Sequence, residues 1–567
     1  MIGLVAVTRA GSSAARELAQ AWGEHCVRHY PGPVALGLPA AFAECDAVVA
    51  FVPTGVAVRV LAPLLSDKTH DAGVVTVDEN RRFAVALLGG HGGGANDLAI
   101  RVADAFGGQA VITTGSDATG IPGLDQLRSP DGRLWPVEGA VAAVGRAILD
   151  DTAVALHADA DWPIPALPSC VHADAPATEF VLRISDRIIA LDHRIAVLRP
   201  PSLVIGVGAS RGASATEVGE LIDAALADAG LSPASVRHVA TVDAKADEAG
   251  ILIAAAERGW PVEVHSAADL AAVTVPNPSE IVRQTLGTAS VCEAAALFGG
   301  PAELVVTKRK SAMATVAIAR RRPRGRLALI GLGPGARDLL TPRAVAELRR
   351  ASVVVGLDQY VDQIRDLLRP GTRIEESGLG QEEQRAHDAV RAAERGHAVA
   401  LIGSGDAGVY AMASPALEIA GADIDVVSVP GITAALASSG LLGAPLGHDH
   451  AAISLSDLHT PWAAIQQRVQ AAADGDLVVT FYNPKSRGRD WQLSQALAIL
   501  ARRRAGATPV GIVRNASRAD ESVLLVTLDT IDVERVDMYC VVVVGSSNTI
   551  VRAGRMVTPR GYRWRVQ

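Results

Sequence analysis

The sequence predicts a multi-domain α/β protein. Short runs of Val, Ile and Leu recur along the whole chain, and Ala-rich amphipathic stretches lie between many of them. This alternation is typical of parallel or mixed sheets covered by helices. At roughly 100–200 residues per domain, the length of 567 residues indicates three to five domains.

The predicted strands follow one another at short intervals. In chain order they cover residues 3–7, 47–51, 74–77, 84–88, 111–113, 203–207, 304–306, 327–330, 353–355, 399–402, 426–429, 477–481, 510–513 and 541–544. Proline-rich or basic stretches at 159–168, 198–201 and 320–326 interrupt the pattern. We therefore expect domains over 1–125 and 201–322, a middle or linking region over 126–200, and a C-terminal part over 326–565.

Composition narrows the function classes. Hydrophobic residues make up 49% of the chain, so it can bury several ordinary cores. The net charge of −8 argues against a general nucleic-acid binder. Five widely spaced cysteines without a CxxC pair predict free thiols rather than disulfides or a metal site. No apolar run reaches the roughly 20 residues of a membrane span, and no signal-peptide core precedes the first strand. We expect a cytoplasmic protein.

Small and polar loops follow the strands of the C-terminal part. The sequence GLGPG follows the strand at 327–330, and GSGDAGVY follows the strand at 399–402. PGITAA, YNP and RNAS follow three further strands. Ligands of open α/β sheets bind beyond the carboxyl ends of the strands, so these loops are expected to line one cleft.

The loop GLGPGA also half-fits a dinucleotide fingerprint, which leaves a nicotinamide-dependent oxidoreductase as an alternative. In that motif the helix opens on the glycines. Here Thr341 and Pro342 form the better helix start, with Thr341 as N-cap and Pro342 at the first helical position. The longer loop would deprive a pyrophosphate of the helix N-terminus that binds it.

The motifs GLGPG, SGDAGVY, VPGITAA, DLVVTFYNP and VGSS, in this order, resemble the tetrapyrrole methyltransferases over about residues 326–565. The segments GLGQEEQRAHDAV and FYNPKSRGR resemble its precorrin-3B C17-methyltransferase subgroup. The resemblance implies two αβα lobes, at about 326–440 and 445–565, that hold S-adenosyl-L-methionine between them, in a homodimer. The implied cofactor residues are Pro334, Ser404, Gly405, Asp406, Val409, Thr433, Ala434, Asn483 and Ala516.

The implied substrate is a corrinoid macrocycle that carries several carboxylates. Arginine and lysine beyond the strand ends are the expected carboxylate ligands: Lys485, Arg487, Arg489 and Arg514. Ring contraction by this subgroup requires a general base. The sequence leaves that base open among Asp406, His448, Asp449 and His450.

The N-terminal half resembles the cobalt-precorrin-5A hydrolase family. The motifs are VPTGVAVR, GGHGGGAND and TTGSD in the first domain, and GVGASRG, TVDAKADE and GTASVCEAA in the third. The resemblance implies opening of a lactone with release of acetaldehyde, which needs an activated water and a stabilised oxyanion. Candidates for these roles are Lys68, His91, Asp117, Asp243, Lys245 and Glu293.

Together the two resemblances imply a bifunctional enzyme of cobalamin biosynthesis with no nucleic-acid or membrane partner. One alternative keeps the methyltransferase but makes the N-terminal half a non-catalytic module that binds the tetrapyrrole. The two families belong to the metal-free and the cobalt-containing variants of the pathway, so the sequence leaves open whether the macrocycle carries cobalt.

Overall fold

The computed structural model describes residues 1–66, 71–90, 93–115, 119, 121, 123–127, 135–173, 180–486 and 488–562, apart from the side chains of Glu24 and Gln126. The predictions for Lys68, His91, Asp117 and Arg487 lie outside the described residues. The chain divides into two compact units. Unit 1 contains Met1–Pro323 and Arg369–Gly371, and unit 2 contains Arg324–Leu368 and Thr372–Gln567.

The first sheet of unit 1 is buried on both faces. Its strands, in spatial order, are Val27–Tyr30, Ile2–Ala6, Ala47–Phe51, Gly73–Val77, Phe83–Leu88 and Gln109–Val111. Its helices are Arg9–Trp22, Val34–Glu44, Thr54–Leu61 and Ala95–Phe106. The adjacent residues Val48 and Val49 belong to the cores on opposite faces. Burial on both faces explains why its strands are continuous apolar runs in the sequence.

The described residues in 135–173 and 180–200 form a sheet with a hydrophobic core of its own. Its strands, in spatial order, are Val137–Gly139, Ile195–Leu198, Phe180–Ile184, Val154–Ala158 and Val171–His172. Helix Val141–Leu149 packs on this sheet, and Trp135 and Leu182 are buried in the shared core. The described part of the region that the sequence suggested as a middle or linking segment is therefore folded.

The third sheet of unit 1 mixes parallel and antiparallel strands. In spatial order they are Val262–His265, Val236–Val242, Leu203–Ala209, Ala314–Arg321 and Ala302–Lys310. Its helices are Ala215–Asp228, Ala249–Ala256, Ala267–Ala271, Glu280–Leu286 and Val291–Leu297. Gly206 lets the last of these helices approach the central strand, because a Cβ atom there would lie 1.8 Å from the carbonyl oxygen of Cys292.

Unit 2 contains two sheets in two lobes. The first is entirely parallel, in the order Arg373–Ser377, Val353–Leu357, Ala398–Gly403, Arg326–Gly331 and Asp425–Val429. Its helices are Pro342–Arg350, Asp358–Val361, Glu382–Glu394 and Ala413–Ile419, whereas helix Ala434–Leu442, which follows its last strand, packs on the sheet of the second lobe. Thr341 caps helix Pro342–Arg350 by accepting the Ala344 N–H at 3.2 Å, which confirms the predicted helix start.

The second lobe is built on a mixed sheet. Its strands, in spatial order, are His450–Ser454, Val478–Tyr482, Cys540–Val544, Pro509–Arg514 and Ser522–Thr527. A smaller sheet has the order Gly443–Ala444, Arg555–Val557 and Ile550–Arg552, and the helices are Trp462–Asp474 and Gln492–Ala501. Short 3₁₀ turns complete both units at Glu24–Cys26, Ala62–Leu64, Leu124–Gln126, Pro233–Ser235, Asp243–Lys245, Arg337–Leu339, Arg365–Leu367 and Val533–Arg535.

None of the helices in the described residues has the length and apolar character needed to cross a bilayer. The same residues contain no cluster of three or more His, Cys, Asp or Glu side chains that could hold a metal ion.

Candidate functional site

The candidate site of unit 2 begins where two neighbouring parallel strands end. Arg326–Gly331 leads into the first loop and Ala398–Gly403 into the second. Gly333 and Gly405 pair across these loops: the Gly333 N–H donates to the Gly405 carbonyl at 3.0 Å, and the Gly405 N–H donates to the Gly333 carbonyl at 2.7 Å. The two loops are therefore held as one surface.

Asp406 ties this surface to a third loop. Its Oδ1 accepts the Gly408 N–H at 2.8 Å, and its Oδ2 accepts the Gly431 N–H at 3.0 Å. Gly431 follows strand Asp425–Val429, which lies on the other side of Arg326–Gly331. Because both carboxylate oxygens hold backbone donors, the geometry favours a positioning role for Asp406 over its suggested role as a general base.

The backbones of the three loops also approach one another closely. A Cβ atom on Gly431 would lie 2.0 Å from the Gly405 carbonyl oxygen, and one on Gly331 would lie 2.6 Å from the same oxygen. Gly405 itself has φ +67°, a conformation that favours glycine. The glycines of the motifs are thus required by close backbone approach.

Two tyrosines connect the lobes at this point. The Tyr482 hydroxyl, at the end of strand Val478–Tyr482, hydrogen-bonds Thr433 Oγ1 at 2.6 Å and accepts the Ala435 N–H at 2.9 Å. The Tyr410 hydroxyl donates to the Ala452 carbonyl at 2.9 Å. The two rings lie 5.2 Å apart between centroids. Burial raises the pKa of Tyr482, so its phenol stays neutral.

Sequence reasoning missed both tyrosines as site residues. The signal was present, because Tyr410 ends the motif SGDAGVY and Tyr482 lies in the motif FYNP. Tyr410 also has φ +52°, which is rare for a bulky residue and fixes the direction of its ring.

A second connection between the lobes lies on the side of the first loop. Arg518 Nε donates to the Pro334 carbonyl at 3.1 Å. Tyr360 lies nearby; burial raises the pKa of its phenol, and the charges of Arg518 and Arg385 and the Ser404 side chain partly oppose that rise. The loop containing Ala516 is therefore brought to the loop containing Pro334.

The suggested cofactor residues lie on these connected loops. Ser404, Gly405, Asp406 and Val409 belong to the second loop, and Thr433 and Ala434 begin helix Ala434–Leu442. Asn483 follows Tyr482 and donates from Nδ2 to Ser454 Oγ at 3.1 Å. Hydroxyls, backbone groups and small side chains in a crevice fit an adenosine-bearing cofactor, which needs hydrogen-bond partners and little volume around it. Their individual roles stay predictions.

The basic residues that are suggested to bind substrate carboxylates differ in whether they already pair with acids of the protein. Lys485 Nζ pairs with Glu534 at 2.9 Å, and Arg514 pairs with Asp520 and Asp537 at 2.8 Å each. The hydrogen bond from Arg514 lowers the pKa of Asp520 below its usual value. These two cations are already neutralised by acids.

Arg489 is different. Its Nε donates to Ser486 Oγ at 3.0 Å, and its nearest acid oxygen, on Asp457, is 4.0 Å away. Its Nη1 is buried and has no hydrogen-bond partner among the residues that the structure describes.

The suggested bases His448, Asp449 and His450 lie at the wrong end of the second sheet. His450 begins strand His450–Ser454, and it is Ser454, at the other end, that pairs with Tyr482. Both histidines are exposed. A four-residue separation along a strand is about 13 Å, so these side chains lie away from the loops at the carboxyl ends.

In unit 1, the carboxylate of Glu293 is buried and accepts three hydrogen bonds from other residues. Glu293 is 0% exposed, and its carboxylate accepts the Asn277 N–H at 3.1 Å, Asn277 Nδ2 at 2.7 Å and the Lys308 N–H at 3.0 Å. This geometry favours a structural role.

The candidates Asp243 and Lys245 lie in a 3₁₀ turn directly after strand Val236–Val242, and Asp243 is exposed there.

Sequence reasoning also missed Glu248. It is buried, and its Oε1 accepts the Gly212 N–H at 2.9 Å, which joins the loops that follow two parallel strands. The Arg211–Asp247 ion pair, at 2.8 Å, joins the same loops at the surface. Both contacts fall within the motifs GVGASRG and TVDAKADE.

Three family profiles match the chain. The family Tetrapyrrole (Corrin/Porphyrin) Methylases matches residues 326–532. The families Cobalamin synthesis G N-terminal and Cobalamin synthesis G C-terminus match residues 37–117 and 203–319.

Individual relatives cover the two halves. A probable cobalt-factor III C(17)-methyltransferase of Salmonella typhimurium is 44% identical over 239 residues, which are 42% of this chain and 99% of that protein. The cobalt-precorrin-5A hydrolase of Priestia megaterium is 30% identical over 316 residues, 52% of this chain and 84% of that protein. The crystal structure of the methyltransferase CobJ is 36% identical and covers 41% of this chain and 98% of its own, with a TM-score of 0.40.

The chain is an enzyme that joins a hydrolase-type region to a methyltransferase, and the predicted fold of αβα domains followed by a two-lobed class III methyltransferase is confirmed. It belongs to the tetrapyrrole methylase family in its C-terminal part and to the cobalt-precorrin-5A hydrolase family in its N-terminal part. Tetrapyrrole methylases use S-adenosylmethionine, which is the cofactor of this chain. The alternative of a nicotinamide-dependent oxidoreductase is not supported.

Proposed function

We propose that the C-terminal part methylates C17 of precorrin-3B, or of its cobalt form, and contracts the ring to give precorrin-4. We also propose that the N-terminal part opens the lactone of cobalt-precorrin-5A and releases acetaldehyde. The observation that carries the first proposal is the junction of three loops through Asp406 and Gly431. The match to nearly the whole length of a C17-methyltransferase relative supports it.

Methyl transfer is an in-line displacement, and bound S-adenosylmethionine supplies the electrophilic methyl group. The protein must orient the acceptor carbon and exclude water. Tyr410 and Tyr482 form an aromatic wall between the lobes. The neutral Tyr482 phenol fixes the start of helix Ala434–Leu442 through the Ala435 N–H. These contacts support a cleft whose shape is set before the substrate binds.

The acceptor is a polycarboxylate, and Arg489 is the basic residue best placed to bind one of its arms. Its buried Nη1 lacks a partner among the described residues, whereas Lys485 and Arg514 already face acids. Arginine binds carboxylates through two parallel hydrogen bonds. The base that removes the proton during ring contraction stays open.

A second candidate function keeps the N-terminal half as a non-catalytic module that binds the tetrapyrrole. The three hydrogen bonds that occupy Glu293 favour it, because they remove one suggested catalytic group. Acetaldehyde release by the full chain from cobalt-precorrin-5A separates the two functions.

We further propose a homodimer that acts in the cytoplasm. The homodimer rests on the resemblance to tetrapyrrole methyltransferases. Free thiols at Cys26, Cys45, Cys170, Cys292 and Cys540 support a reducing compartment. Light scattering during size-exclusion chromatography tests the oligomeric state, since a monomeric mass would contradict it.

The central test is calorimetric titration of S-adenosylmethionine and S-adenosylhomocysteine into the full chain. We expect binding by the natural chain and its loss in Gly431→Ala, where the new methyl group would strike the Gly405 carbonyl. Gly421→Ala is the matched control, because a Cβ atom there meets nothing within 4 Å. Failure of the natural, folded chain to bind either compound would contradict the proposed cofactor cleft. Mass analysis of the product from precorrin-3B then tests the reaction.

A further inference from the structure

A cavity of about 440 Å³ lies within unit 1, where the middle sheet meets the third sheet. Trp162, Ile184 and Arg187 contribute to one wall, and Glu303, Arg320 and Arg322 to the other. Its volume falls in the range of about 300–1,000 Å³ that is typical of small-molecule sites. No residue of this cavity belongs to the motifs that suggested the hydrolase family.

A buried ion pair holds the two walls together. Asp186 is 5% exposed and accepts two hydrogen bonds from Arg320, at 2.7 Å from Nε and 3.0 Å from Nη2. The Ser202 hydroxyl donates to the same carboxylate at 2.7 Å. Because a bidentate arginine–carboxylate pair fixes direction as well as distance, the cavity has a defined shape.

Two other arginines of the cavity are left without such partners. Arg187 and Arg322 are exposed, and neither guanidinium makes an ion pair or hydrogen bond within the part of the chain that the structure describes. The nearby carboxylate of Asp159 accepts the Ser185 hydroxyl at 2.5 Å. The cavity therefore offers two free cations beside three acids, Asp159, Asp186 and Glu303, each of which already has a hydrogen-bond partner.

The cavity is also lined by the charged residues Glu303 and Arg321 and by an apolar side that includes a flat ring. Trp162 packs edge-on against the buried Trp135, with centroids 5.4 Å apart and planes at 88°. Ile184 and Pro200 complete this side of the cavity. A ligand that suits the cavity has an apolar ring edge for Trp162 and carboxylates for Arg187 and Arg322.

We propose that this cavity binds a carboxylate-bearing ring edge of a tetrapyrrole macrocycle. The proposal deepens, and rests on, the proposed function of the N-terminal half as a region that acts on such a macrocycle. The volume accommodates one substituted five-membered ring with its carboxylate arms, and the rest of the macrocycle extends into solvent. Arg187 and Arg322 bind the carboxylates, and Trp162 contacts the ring.

The test uses uroporphyrin, an octacarboxylate macrocycle, titrated into the full chain at low and high salt. Wild-type protein should show two binding sites, one in the methyltransferase and one in this cavity. The variant Arg187→Gln/Arg322→Gln should lose the cavity site, with affinity reduced roughly tenfold or more at that site. The control Arg16→Gln/Arg283→Gln removes the same charge from two exposed arginines of unit 1 that do not line the cavity.

A second variant and a folding measurement guard against misfolding of unit 1. Trp162→Leu should weaken the cavity site while all variants keep the wild-type unfolding transition in denaturant. Identical uroporphyrin isotherms for wild type and the Arg187→Gln/Arg322→Gln variant would overturn the proposal.

Acetaldehyde release separates the two proposals. If wild type releases acetaldehyde from cobalt-precorrin-5A and the cavity variant does so at a tenfold higher KM, both stand. If both proteins release it with equal KM, the hydrolase function stands and the cavity proposal fails. If neither releases it but the cavity variant loses uroporphyrin binding, the site stands and the hydrolase function fails.

Discussion

The Oδ2 atom of Asp406 accepts a hydrogen bond from the Gly431 N–H at 3.0 Å, across 25 residues of sequence. The two residues follow strands that lie on either side of Arg326–Gly331. The carboxylate of Asp406 thus fixes the position of its own loop relative to the loop that contains Gly431, and both loops border the proposed cofactor cleft.

Replacing Asp406 should therefore damage the cleft itself. Asp406→Ala frees the N–H groups of Gly408 and Gly431, and we expect S-adenosylhomocysteine to bind roughly tenfold more weakly or worse, as judged by calorimetry. Asp406→Asn keeps one acceptor oxygen and should lose less. Asp423→Ala, at an exposed site, serves as the control. An Asp406→Asn variant that binds normally but no longer methylates would instead identify a general base.

The basic residues of the second lobe should differ in their effect on KM. Arg489→Gln should raise KM for the macrocycle about tenfold with little change in kcat, because it removes a guanidinium group whose buried Nη1 has no hydrogen-bond partner among the described residues. Lys485→Gln should have a small effect, since an exposed ion pair is worth about 0–1 kcal/mol and Lys485 already faces Glu534. Steady-state kinetics measures KM for both variants. A larger rise in KM for Lys485→Gln than for Arg489→Gln would contradict the assignment of Arg489.

The substitution Glu293→Gln should lower the stability of the folded chain. The substitution turns one accepting oxygen into a donor that faces the N–H groups of Asn277 or Lys308, at a cost of about 1–3 kcal/mol in the free energy of unfolding. Denaturant titration followed by circular dichroism measures this, with exposed Glu220→Gln as the control. Loss of acetaldehyde release without loss of stability would show that Glu293 acts on water.

The thiols should react in an order set by burial. Burial raises the pKa of Cys540 to about 11 and also raises the pKa of Cys292 and Cys170. Since the thiolate is the reactive form, iodoacetamide at pH 8 should label exposed Cys26 first in the folded chain. Peptide mapping by mass spectrometry checks this, and Cys26→Ser should remove the early label. Rapid labelling of Cys540 would contradict the burial.

The same shift predicts a pH dependence of stability. The pKa of Cys540 is higher in the folded chain than the value of about 8.5 of a free thiol. Its contribution is thus complete below about pH 8.5 and is lost as the pH rises toward 11. Unfolding titrations of wild type and Cys540→Ala should converge in that interval, and parallel curves would argue against the shift.

Much of the fold was predictable where both faces of a sheet are buried. The strand at Ala47–Phe51 has its predicted bounds, and Thr341 caps the helix that begins at Pro342, because an apolar run and a capping pair are local signals. The strand expected at 111–113 lies at Gln109–Val111, since its register is set by the pairing of Gln109 with Phe83. Such long-range pairing leaves no local trace.

For the candidate site of unit 2, the sequence predicted which loops follow the strands, but it did not predict which side chains pair with one another. The glycine motifs located the loops of unit 2. The pairing of Lys485 with Glu534 spans 49 residues, and the charge of Arg514 is taken up by Asp537, 23 residues away. Whether a cation is free or neutralised depends on which loops the fold brings together. Residue type alone therefore leaves open which of these basic residues bind a carboxylate of the substrate.

The glycines at 331, 405 and 431 have a consequence for how such a cleft can change over generations. A single methyl group is too large at 331 or 431 because backbone from a neighbouring loop already fills that space. A mutation to any other residue at 331 or 431 therefore has to displace the backbone of a second loop, so selection for a working cleft should keep glycine at both positions.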